Sequence, residues 1–307
     1  MHPPANINVG GSYYTDSHRS IPDPEKKKNY MEAKAPYDAF TKIIVEAADA
    51  YQTTGSRQAA LGAASLLESA AKDNFMGGSC TTGQDHYVQG WLGGSVIIAY
   101  LKVRPSGLVT PEQTNLILPW LKRIAHTTQT FYDPKNTGAK ETKVLNNHLY
   151  WGGIPVIAAG VATNDRDLFD WGIQTYEEGV KQVTPDGTLP KEMARAVRAL
   201  HYHIFAIVPL VMLAEYGEDN GIEMYARHDN ALKRLIQRTE EGIYDSSYFD
   251  KAAGIKQESM DTLGADDVGW IKPYLHRFPD PPNPNLEKLL GRAKSLQDLY
   301  MGGLPPE

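Results

Sequence analysis

Cysteine and basic residues are scarce in this sequence of 307 residues, and each scarcity excludes a class of protein. The single cysteine, Cys80, excludes an intrachain disulfide and a multi-cysteine metal site. We expect its thiol to be buried, as free cysteines usually are. Lys and Arg number 31 against 37 Asp and Glu, and the resulting net charge of −6 argues against general affinity for nucleic acid or anionic membranes.

Long apolar runs are also lacking. The sequence contains no uninterrupted stretch of roughly 18 apolar residues, so we predict no membrane-spanning helix. The first residues, MHPPANINVGGSYY, lack the charged and apolar regions of a signal peptide. Two explanations fit this beginning: a cytoplasmic protein, or a mature chain from which a leader has been removed.

Helical periodicity is abundant. Apolar residues recur at helical spacing in successive stretches, and the short spacers between them favour antiparallel neighbouring helices. Several stretches are apolar on two sides, as the inner helices are when an outer ring covers them. We therefore predict an all-α fold, an incomplete α/α toroid of antiparallel helix pairs, as one domain over residues 1–307. The predicted helices span residues 38–51, 56–73, 86–102, 111–131, 148–162, 166–183, 190–216 and 223–240.

The two ends of the chain are predicted to be largely irregular. Residues 1–37 are rich in Gly, Pro, Tyr and charge, and we interpret them as an extended segment or lid over the toroid. The lysine run Lys26–Lys28 within it could clasp a polyanion or simply be solvated. From about Ser259 we predict an irregular tail with one short helix near residues 285–300.

The stretch at residues 186–215, DGTLPKEMARAVRALHYHIFAIVPLVMLAE, combines a core helix with unusual polar residues. If it is one helix, Tyr202 returns to nearly the same face as Arg195, with Arg198 beside them. Burying guanidinium groups beside a phenol is unfavourable unless an anion or a hydrogen-bonding group meets them. This stripe therefore predicts a site for an anionic substrate.

A second cluster, NNHLYWGG, covers residues 146–153 at the start of a predicted helix. Asparagine is a common helix N-cap, so Asn146 or Asn147 could simply begin the helix while His148 packs. Amide donors at a helix N-terminus can also bind a carboxylate, and His148 could accept a proton near neutral pH. The density of polar and aromatic residues exceeds what capping requires.

Together the two clusters resemble the polysaccharide lyase family 5 alginate lyases. The family pattern is NNHxYW, then DGS/T…EM(T/A)R…LHY, then a run resembling ALPLTMIAE, which AIVPLVMLAE matches at residues 206–215. The close match covers residues 146–216, and weaker similarity extends over residues 85–101 and 269–278. The resemblance implies export to the periplasm or the cell exterior. No metal and no organic cofactor are implied, since Arg195 and Asn147 can do the neutralising work that some lyases give to calcium. The catalytic residues that the resemblance implies are Asn147, His148, Arg195 and Tyr202.

The implied reaction, β-elimination in a uronate polymer, suits these residue types. A uronate lyase removes the C5 proton and expels the glycosidic oxygen from C4 through a dianionic enolate, which Arg195 and Asn147 can neutralise. In β-D-mannuronate the C5 hydrogen and the C4 oxygen lie on the same side, so Tyr202 could serve as acid and base. That requires Arg195 to lower the pKa of Tyr202; His148 is the alternative base.

Other residues are candidates for substrate binding. Tyr87 and Trp91, four apart on one helix face, could stack on sugar rings or could be core aromatics. His201 and His203 diverge on a helix and so form no helical metal pair. The predicted binding set is Tyr87, Trp91, Trp151, Arg198, His201, Tyr274, Arg277, Tyr13, Tyr14 and Arg19, of which Tyr274 and Arg277 could close the groove or lie on the surface.

The leading hypothesis is a monomeric lyase whose partner is an anionic polysaccharide, poly-β-D-mannuronate (alginate), rather than nucleic acid or membrane. Because the N-terminal region departs from better-known family members, polyglucuronate or hyaluronan could also be substrates. A glycoside hydrolase would need two carboxylates flanking the bond, and Asp85, Asp186 and Glu192 form no clear pair. A non-catalytic polysaccharide-binding toroid would be expected to lack Tyr202 or His148.

Overall fold

Helices dominate the structure, a computed structural model that describes residues 3–133 and 145–305. Within those ranges no named strand occurs, and the only β-type pairing is in isolated bridges such as that between Ile7 and Cys80. The prediction of an all-α chain is confirmed. The helices are α1 (Pro24–Thr54), α2 (Arg57–Lys72), α3 (Gly83–Val103), α4 (Pro111–Tyr132), α5 (Asn147–Thr163), α6 (Arg166–Val180), α7 (Pro190–Met193), α8 (Ala199–Glu218), α9 (Arg227–Tyr244), α10 (Ser247–Ala253), α11 (Ala265–Val268), α12 (Ile271–Arg277) and α13 (Pro284–Leu290).

Across the described residues, four helix pairs build the body of the molecule. Helices α1, α3, α5 and α8 neighbour one another in that order on the inside, and α2, α4, α6 and α9 pack against them from outside. The inner helices α3, α5 and α8 are buried around most of their circumference, whereas outer helices such as α9 bury one stripe. This arrangement is the α/α toroid that the two-sided apolar stretches predicted, and its outer ring removes the apolar faces from water.

The parallel direction of the inner helices places their N-termini at one end. Each inner helix is followed by an outer helix that runs back, so the chain always enters the inner ring from the same side. Residues near the starts of all four inner helices line one cavity: Lys27 of α1, Gln84 of α3, His148 of α5 and His201 of α8. The positive ends of four helix dipoles therefore lie at this cavity, which favours a negatively charged ligand.

The expectation that the chain contains no apolar run long enough to span a membrane needs a correction at one inner helix. Among the described residues, the stretch Ala196–Glu218 is long and apolar enough to cross a membrane by length and composition alone. Its most apolar window is 67% buried within the fold, as a core helix of the toroid would be. The apolar character of this stretch is thus explained by the outer helices that cover it.

The helix predicted over residues 190–216 is interrupted. It is divided into α7, a 3₁₀ turn at Ala196–Arg198, and α8. Ala196 has a φ of 53°, a left-handed conformation that ends the right-handed helical ladder at this point. Arg195 therefore belongs to a turn before α8, and it approaches Tyr202 through this break rather than along a continuous helix face.

The predicted N-terminal lid is shorter than expected. Helix α1 begins at Pro24, where the Asp23 carboxylate accepts the backbone N–H of Lys26 at 2.9 Å, so the lysine run forms the exposed first turn of a helix. Residues 13–23 form a narrow turn-back that we call the lid hairpin. The backbone N–H of Thr15 donates to the Ile21 carbonyl at 2.9 Å, and that of Asp23 donates to the Tyr13 carbonyl at 2.7 Å.

The tail is more ordered than predicted. Three short helices, α11, α12 and α13, occupy the region where one was expected, and residues 291–305 then run irregularly against the inner helices. Lys102 of α3 pairs with Asp49 of α1 at 2.6 Å and donates to the carbonyls of Gly302 and Leu304 at 2.7 and 2.8 Å. Cys80 is free and only partly buried, and burial raises the pKa of its thiol to about 12.

Candidate active site

A cavity of about 420 Å³ lies at the end of the toroid where the inner helices begin. Its wall includes residues of the lid hairpin, of all four inner helices and of the tail. Among the described residues, no Asp or Glu lines it. The predicted site residues brought together there are Tyr13, Tyr14, Arg19, Tyr87, Trp91, His148, Arg195, Arg198, His201 and Tyr202. A shallower groove of about 940 Å³ along the outside of α4 contains none of the predicted site residues.

Arg195 is a buried guanidinium without a carboxylate partner among the described residues. Its side chain lies flat against Tyr202, with the guanidinium carbon 3.4 Å from the ring centroid. One nitrogen, Nη2, donates to the backbone carbonyl of Arg19 in the lid hairpin at 2.6 Å. The buried Nε has no hydrogen-bond partner in the part of the chain that the structure describes. Because an unmatched buried cation is unfavourable, this geometry is suited to an anionic ligand.

Tyr202 shares a hydrogen bond with Tyr14 of the lid hairpin, with the two phenol oxygens 3.0 Å apart. Burial raises the pKa of Tyr202 and outweighs the lowering by nearby Arg195, so the phenol is neutral in this state. This net direction is opposite to the one expected from the sequence, where the effect of Arg195 was visible but the burial of Tyr202 was not. Tyr202 in this form can donate a proton.

The pKa of Tyr14 is shifted in the direction opposite to that of Tyr202. Burial acts to raise its pKa, but hydrogen bonds with Tyr202 and Tyr13 and the charges of Arg198 and Arg195 lower it below the usual value. Arg198 Nη1 donates to the Tyr14 oxygen at 3.2 Å. The two phenols titrate as a pair, and a negative charge on either oxygen is stabilised by the other hydroxyl and by two guanidinium groups.

His148 lies opposite this pair and is held by aromatic rings. Its imidazole stacks on Tyr87 with centroids 3.9 Å apart and an interplanar angle of 10°. Burial, together with the positive charges of Arg195 and Arg19, lowers its pKa to about 3. His148 is therefore neutral near pH 7, and its buried Nδ1 has no partner in the described structure. A neutral imidazole here can accept a hydrogen bond or a proton without adding another positive charge.

Asn147 lies behind the cavity wall rather than in it. It is fully buried, and its Nδ2 donates to Glu192 Oε2 at 2.8 Å while its backbone N–H donates to Glu192 Oε1 at 2.9 Å. The amide oxygen Oδ1 has no partner among residues 3–133 and 145–305. Sequence reasoning weighed Glu192 only as a hydrolase acid and so missed this contact. Its place in the EMAR motif, three residues before Arg195, was the available signal.

The aromatic wall beside His148 extends further than the sequence indicated. Trp91 stacks on Tyr300 of the tail with centroids 5.2 Å apart, and Phe205 joins them in the wall. Trp151, which was expected to bind substrate, is 3% exposed and lies behind this layer, where its indole N–H donates to the Phe205 carbonyl at 3.1 Å. The structure therefore places Trp151 as a support for the wall, which corrects that expectation.

His201 also faces the cavity. Its ring is nearly perpendicular to that of Tyr202, with centroids 5.5 Å apart. Its Nδ1 is 3.7 Å from Glu258 Oε1, the oxygen that also accepts Arg198 Nε at 3.1 Å. Burial and the charges of Arg198 and Arg195 lower the pKa of His201 to about 3. Among the described residues, no group of three or more His, Cys, Asp or Glu side chains is arranged to hold a metal ion.

Tyr274 and Arg277 do not lie at the cavity. Arg277 pairs with Glu215 at 2.6 Å and with Asp219 at 2.7 Å, at the opposite end of α8. Tyr274 packs against Tyr225 and Phe278, with ring centroids 5.9 and 5.2 Å away. The expectation that these two residues close the groove is corrected by this placement, because their partners fix the far end of the toroid.

Comparison with known proteins places these observations in a family. A family model described as alginate lyase matches residues 5–249. A polysaccharide lyase of Stenotrophomonas maltophilia is 35% identical over 91% of this chain and 81% of that protein. An alginate lyase of Pseudomonas fluorescens is 38% identical over 61% of this chain, but the chain spans only 50% of that relative.

Solved structures show the same fold. Alginate lyase A1-III in a complex with a tetrasaccharide superposes with a TM-score of 0.84 at 24% identity, over 98% of this chain and 82% of that one. An alginate lyase from Bacteroides ovatus gives a TM-score of 0.61 at 18% identity, over 94% of this chain and 76% of that one. At these sequence identities the structural likeness establishes the toroid fold alone and assigns no role to any residue of the site.

Proposed function

The chain belongs to the alginate lyase family and is a polysaccharide lyase, and from this premise we propose that it cleaves poly-β-D-mannuronate by β-elimination. Each cleavage of a β-1,4 linkage would leave one 4,5-unsaturated uronate end. The observation that carries the proposal is the placement of Arg195 against Tyr202, 3.4 Å from its ring centroid, in a cavity shared with neutral His148. These groups match a reaction that forms an enolate and then protonates a leaving oxygen.

Neutralisation of the uronate carboxylate is assigned to Arg195 and Asn147. Loss of the C5 proton places a second negative charge on the carboxylate, so donors aimed at it act most strongly in the transition state. Among the described residues, the Nε of Arg195 has no partner and Glu192 binds only one of the two hydrogens on Asn147 Nδ2, so both donors are uncommitted. Arg195 would act from the cavity wall and Asn147 from directly behind it. The positive ends of the inner helices add to the same field.

Proton transfer is assigned to Tyr202. As a neutral phenol it can protonate the C4 oxygen as the glycosidic bond breaks. For the first step it must act as a phenolate, and Arg195, Arg198 and the Tyr14 hydroxyl stabilise that charge. His148 is the alternative base at C5, although a pKa of about 3 makes its imidazole a weak one.

The absence of carboxylates from the cavity wall of the described residues supports elimination over hydrolysis. A glycoside hydrolase needs an acid and a second carboxylate on opposite sides of the bond. Asp85 is fully buried and accepts backbone N–H groups from Val9, Thr81 and Thr82, and Glu192 is occupied by Asn147. A purely binding protein would not require Tyr202 and His148 to be retained together with Arg195.

A broader polyuronate specificity is the second candidate. The relative that aligns with 91% of this chain is named only as a polysaccharide lyase. The cavity offers aromatic faces and guanidinium groups, which recognise features that mannuronate and glucuronate units share. Polyglucuronate and hyaluronan have the same C5–C4 geometry and would be accepted if recognition is limited to these features.

The test is a panel of polymannuronate, polyguluronate, polyglucuronate and hyaluronan. Ultraviolet absorbance of the unsaturated product is followed across pH, together with the release of reducing ends. We expect both signals to rise together on polymannuronate. Reducing ends without absorbance would establish hydrolysis, and binding without either signal would establish a non-catalytic toroid.

We also propose that the protein acts as a monomer in the periplasm or outside the cell, where a long anionic polymer is accessible without crossing a membrane. Cell fractionation with antibody detection tests the location. Light scattering on the eluting protein tests the mass, and a particle of twice the 34.0 kDa chain mass would contradict the monomer.

A further inference from the structure

We propose that Glu192 is a positioning residue of this active site, whose carboxylate joins the start of α5 to the turn that carries Arg195. The inference rests on the proposed function, because it concerns how Asn147, His148 and Arg195 are held for that reaction. These residues come from two segments that are far apart in sequence. Something must therefore fix one segment relative to the other.

The contacts of Glu192 extend to both segments. Its Oε1 accepts the backbone N–H of Asn147 at 2.9 Å, and its Oε2 accepts Nδ2 of the same residue at 2.8 Å. On the other side, the backbone N–H of Arg195 donates to the Glu192 carbonyl at 3.1 Å and closes the turn between them. One residue thus connects α5 by its side chain and Arg195 by its main chain.

Burial makes this connection specific. Glu192 and Asn147 are both fully buried, so their two hydrogen bonds are strengthened by the low local dielectric constant of the protein interior. The carboxylate faces the positive end of α5, with the charges of Arg195 and Lys191 nearby and the phenol of Tyr150 on α5 as a further titratable neighbour. Burial raises the pKa of Glu192 above its usual value, and the bonds from Asn147 and the charges of Arg195 and Lys191 offset only part of that rise.

The orientation of the Asn147 amide follows from these bonds. One Nδ2 hydrogen is committed to Glu192, so the amide plane cannot rotate without breaking it. The other hydrogen and the unpartnered Oδ1 are then presented in a fixed direction. Because Glu192 also holds the first N–H of α5, it fixes where His148, the next residue, begins its path toward the cavity.

The experiment is a cycle of Glu192→Gln, Asn147→Ala and the double variant, assayed by unsaturated-product absorbance. Glutamine has one acceptor oxygen, so its amide N–H would face an N–H of Asn147, donor against donor. We expect Glu192→Gln to lower kcat on the order of 10²-fold with little change in KM, since displaced catalytic groups lose rate more than affinity. The double variant should be less impaired than the product of the two single losses.

A matched control separates positioning from general stability. Glu218 also binds two backbone N–H groups, those of Met224 and Tyr225 at 2.9 and 3.2 Å, but it lies at the other end of α8. Glu218→Gln should keep the wild-type kcat even if its melting temperature falls. If Glu192→Gln does not fold, Glu192→Asp replaces it in the cycle, because the shorter side chain keeps the charge but withdraws it from Asn147.

The outcomes are distinct. Wild-type kcat in the folded Glu192 variant, or losses that multiply in the double variant, would overturn the positioning role. Absence of unsaturated product from the wild-type protein on every polymer would instead overturn the proposed function. A reduced kcat with unchanged KM, and coupling to Asn147, would support the inference.

Discussion

The two ends of α8 use arginine in opposite ways. Near the N-terminus, Arg195 packs on a tyrosine ring, donates to one lid carbonyl and makes no ion pair among the described residues. At the C-terminal end of α8, Arg277 of α12 forms ion pairs with Glu215 at 2.6 Å and with Asp219 at 2.7 Å. A guanidinium whose charge is already matched holds the fold together. One whose charge is left unmatched can bind something that arrives from solution.

The same contrast separates the tyrosines. Tyr225, beside the Arg277 cluster, donates its hydroxyl to the Glu215 carboxylate at 2.7 Å and is committed to that bond. Tyr202 instead meets another tyrosine hydroxyl and two guanidinium groups. A hydroxyl that can exchange its proton with a neighbour is suited to chemistry, whereas a hydroxyl bound to a carboxylate is suited to support.

The largest expected effect comes from removing the Tyr202 hydroxyl. Tyr202→Phe should reduce kcat by roughly 10²–10⁴-fold, the range lost when a general acid or base is removed. Tyr225→Phe, at the far end, should retain turnover. Product absorbance on polymannuronate measures both. Near-wild-type turnover of Tyr202→Phe would show that His148 or Tyr14 handles the protons.

A pair of substitutions tests the contrast between Arg195 and Arg277. Arg195→Ala should lower kcat by about 10²–10³-fold, as loss of a transition-state donor does. Arg277→Ala should leave kcat unchanged but reduce the free energy of unfolding by about 1–3 kcal/mol, since it removes hydrogen bonds between charged groups. Kinetics and urea unfolding are measured on both proteins. Equal kinetic losses in the two variants would refute the distinction.

Arg198 should give an intermediate result. It is shared between the cavity and a surface partner, because it bonds both Tyr14 and Glu258. Arg198→Ala should raise KM roughly tenfold, the size expected from losing one charged hydrogen bond. Substrate titration of the initial rate tests this, with Glu258→Gln as the control that keeps the guanidinium. A loss confined to kcat would show that Arg198 assists proton transfer instead of substrate binding.

The smallest expected effect concerns pH and stability. The pKa values of His148 and His201 are lowered to about 3, and that of buried His203 to about 4, mainly by burial. The unfolded chain, with histidine pKa values near about 6.5, binds more protons below that pH. Stability from these residues is therefore complete above about pH 6.5 and is lost as the pH falls toward the folded values.

Urea unfolding at several pH values measures how steeply the free energy of unfolding falls as the pH is lowered. His203→Gln should reduce this slope by up to about 1.4 kcal/mol per pH unit, the contribution of one proton. Its imidazole accepts the Leu189 N–H at 2.9 Å, so some loss of stability at every pH is expected as well. An unchanged slope would mean that His203 titrates normally in the folded protein.

The sequence predicted the toroid because the physical cause of the fold is local and periodic. Helices with two apolar sides require an outer layer, and α3, α5 and α8 have one. The break before α8 could not be predicted, since nothing in the sequence marks Ala196 for a left-handed conformation. By contrast, Gly187 has a φ of 77° and a Cβ there would lie 2.5 Å from the Arg234 carbonyl, which gives a physical reason for glycine at that turn.

Long-range contacts account for most of what the sequence left open at the site. The Tyr14–Tyr202 bond joins residues 188 positions apart, and the Asn147–Glu192 bonds join residues 45 apart. Neither follows from spacing on one element. Arg277 illustrates the reverse error, because an arginine in a family-like segment was assigned to substrate although its two carboxylate partners lie at the C-terminal end of α8.

The parallel arrangement of the inner helices has a consequence for how a polymer would reach the protein. With a net charge of −6, the molecule as a whole repels a polyanion, yet four helix starts and the guanidinium of Arg195, which has no carboxylate partner among the described residues, concentrate positive potential at one mouth. The field at this opening therefore has the opposite sign to the net charge of the molecule. An approaching chain is repelled from most directions and drawn toward a single opening. Added salt would weaken that orientation at long range before it disturbs any contact inside the cavity.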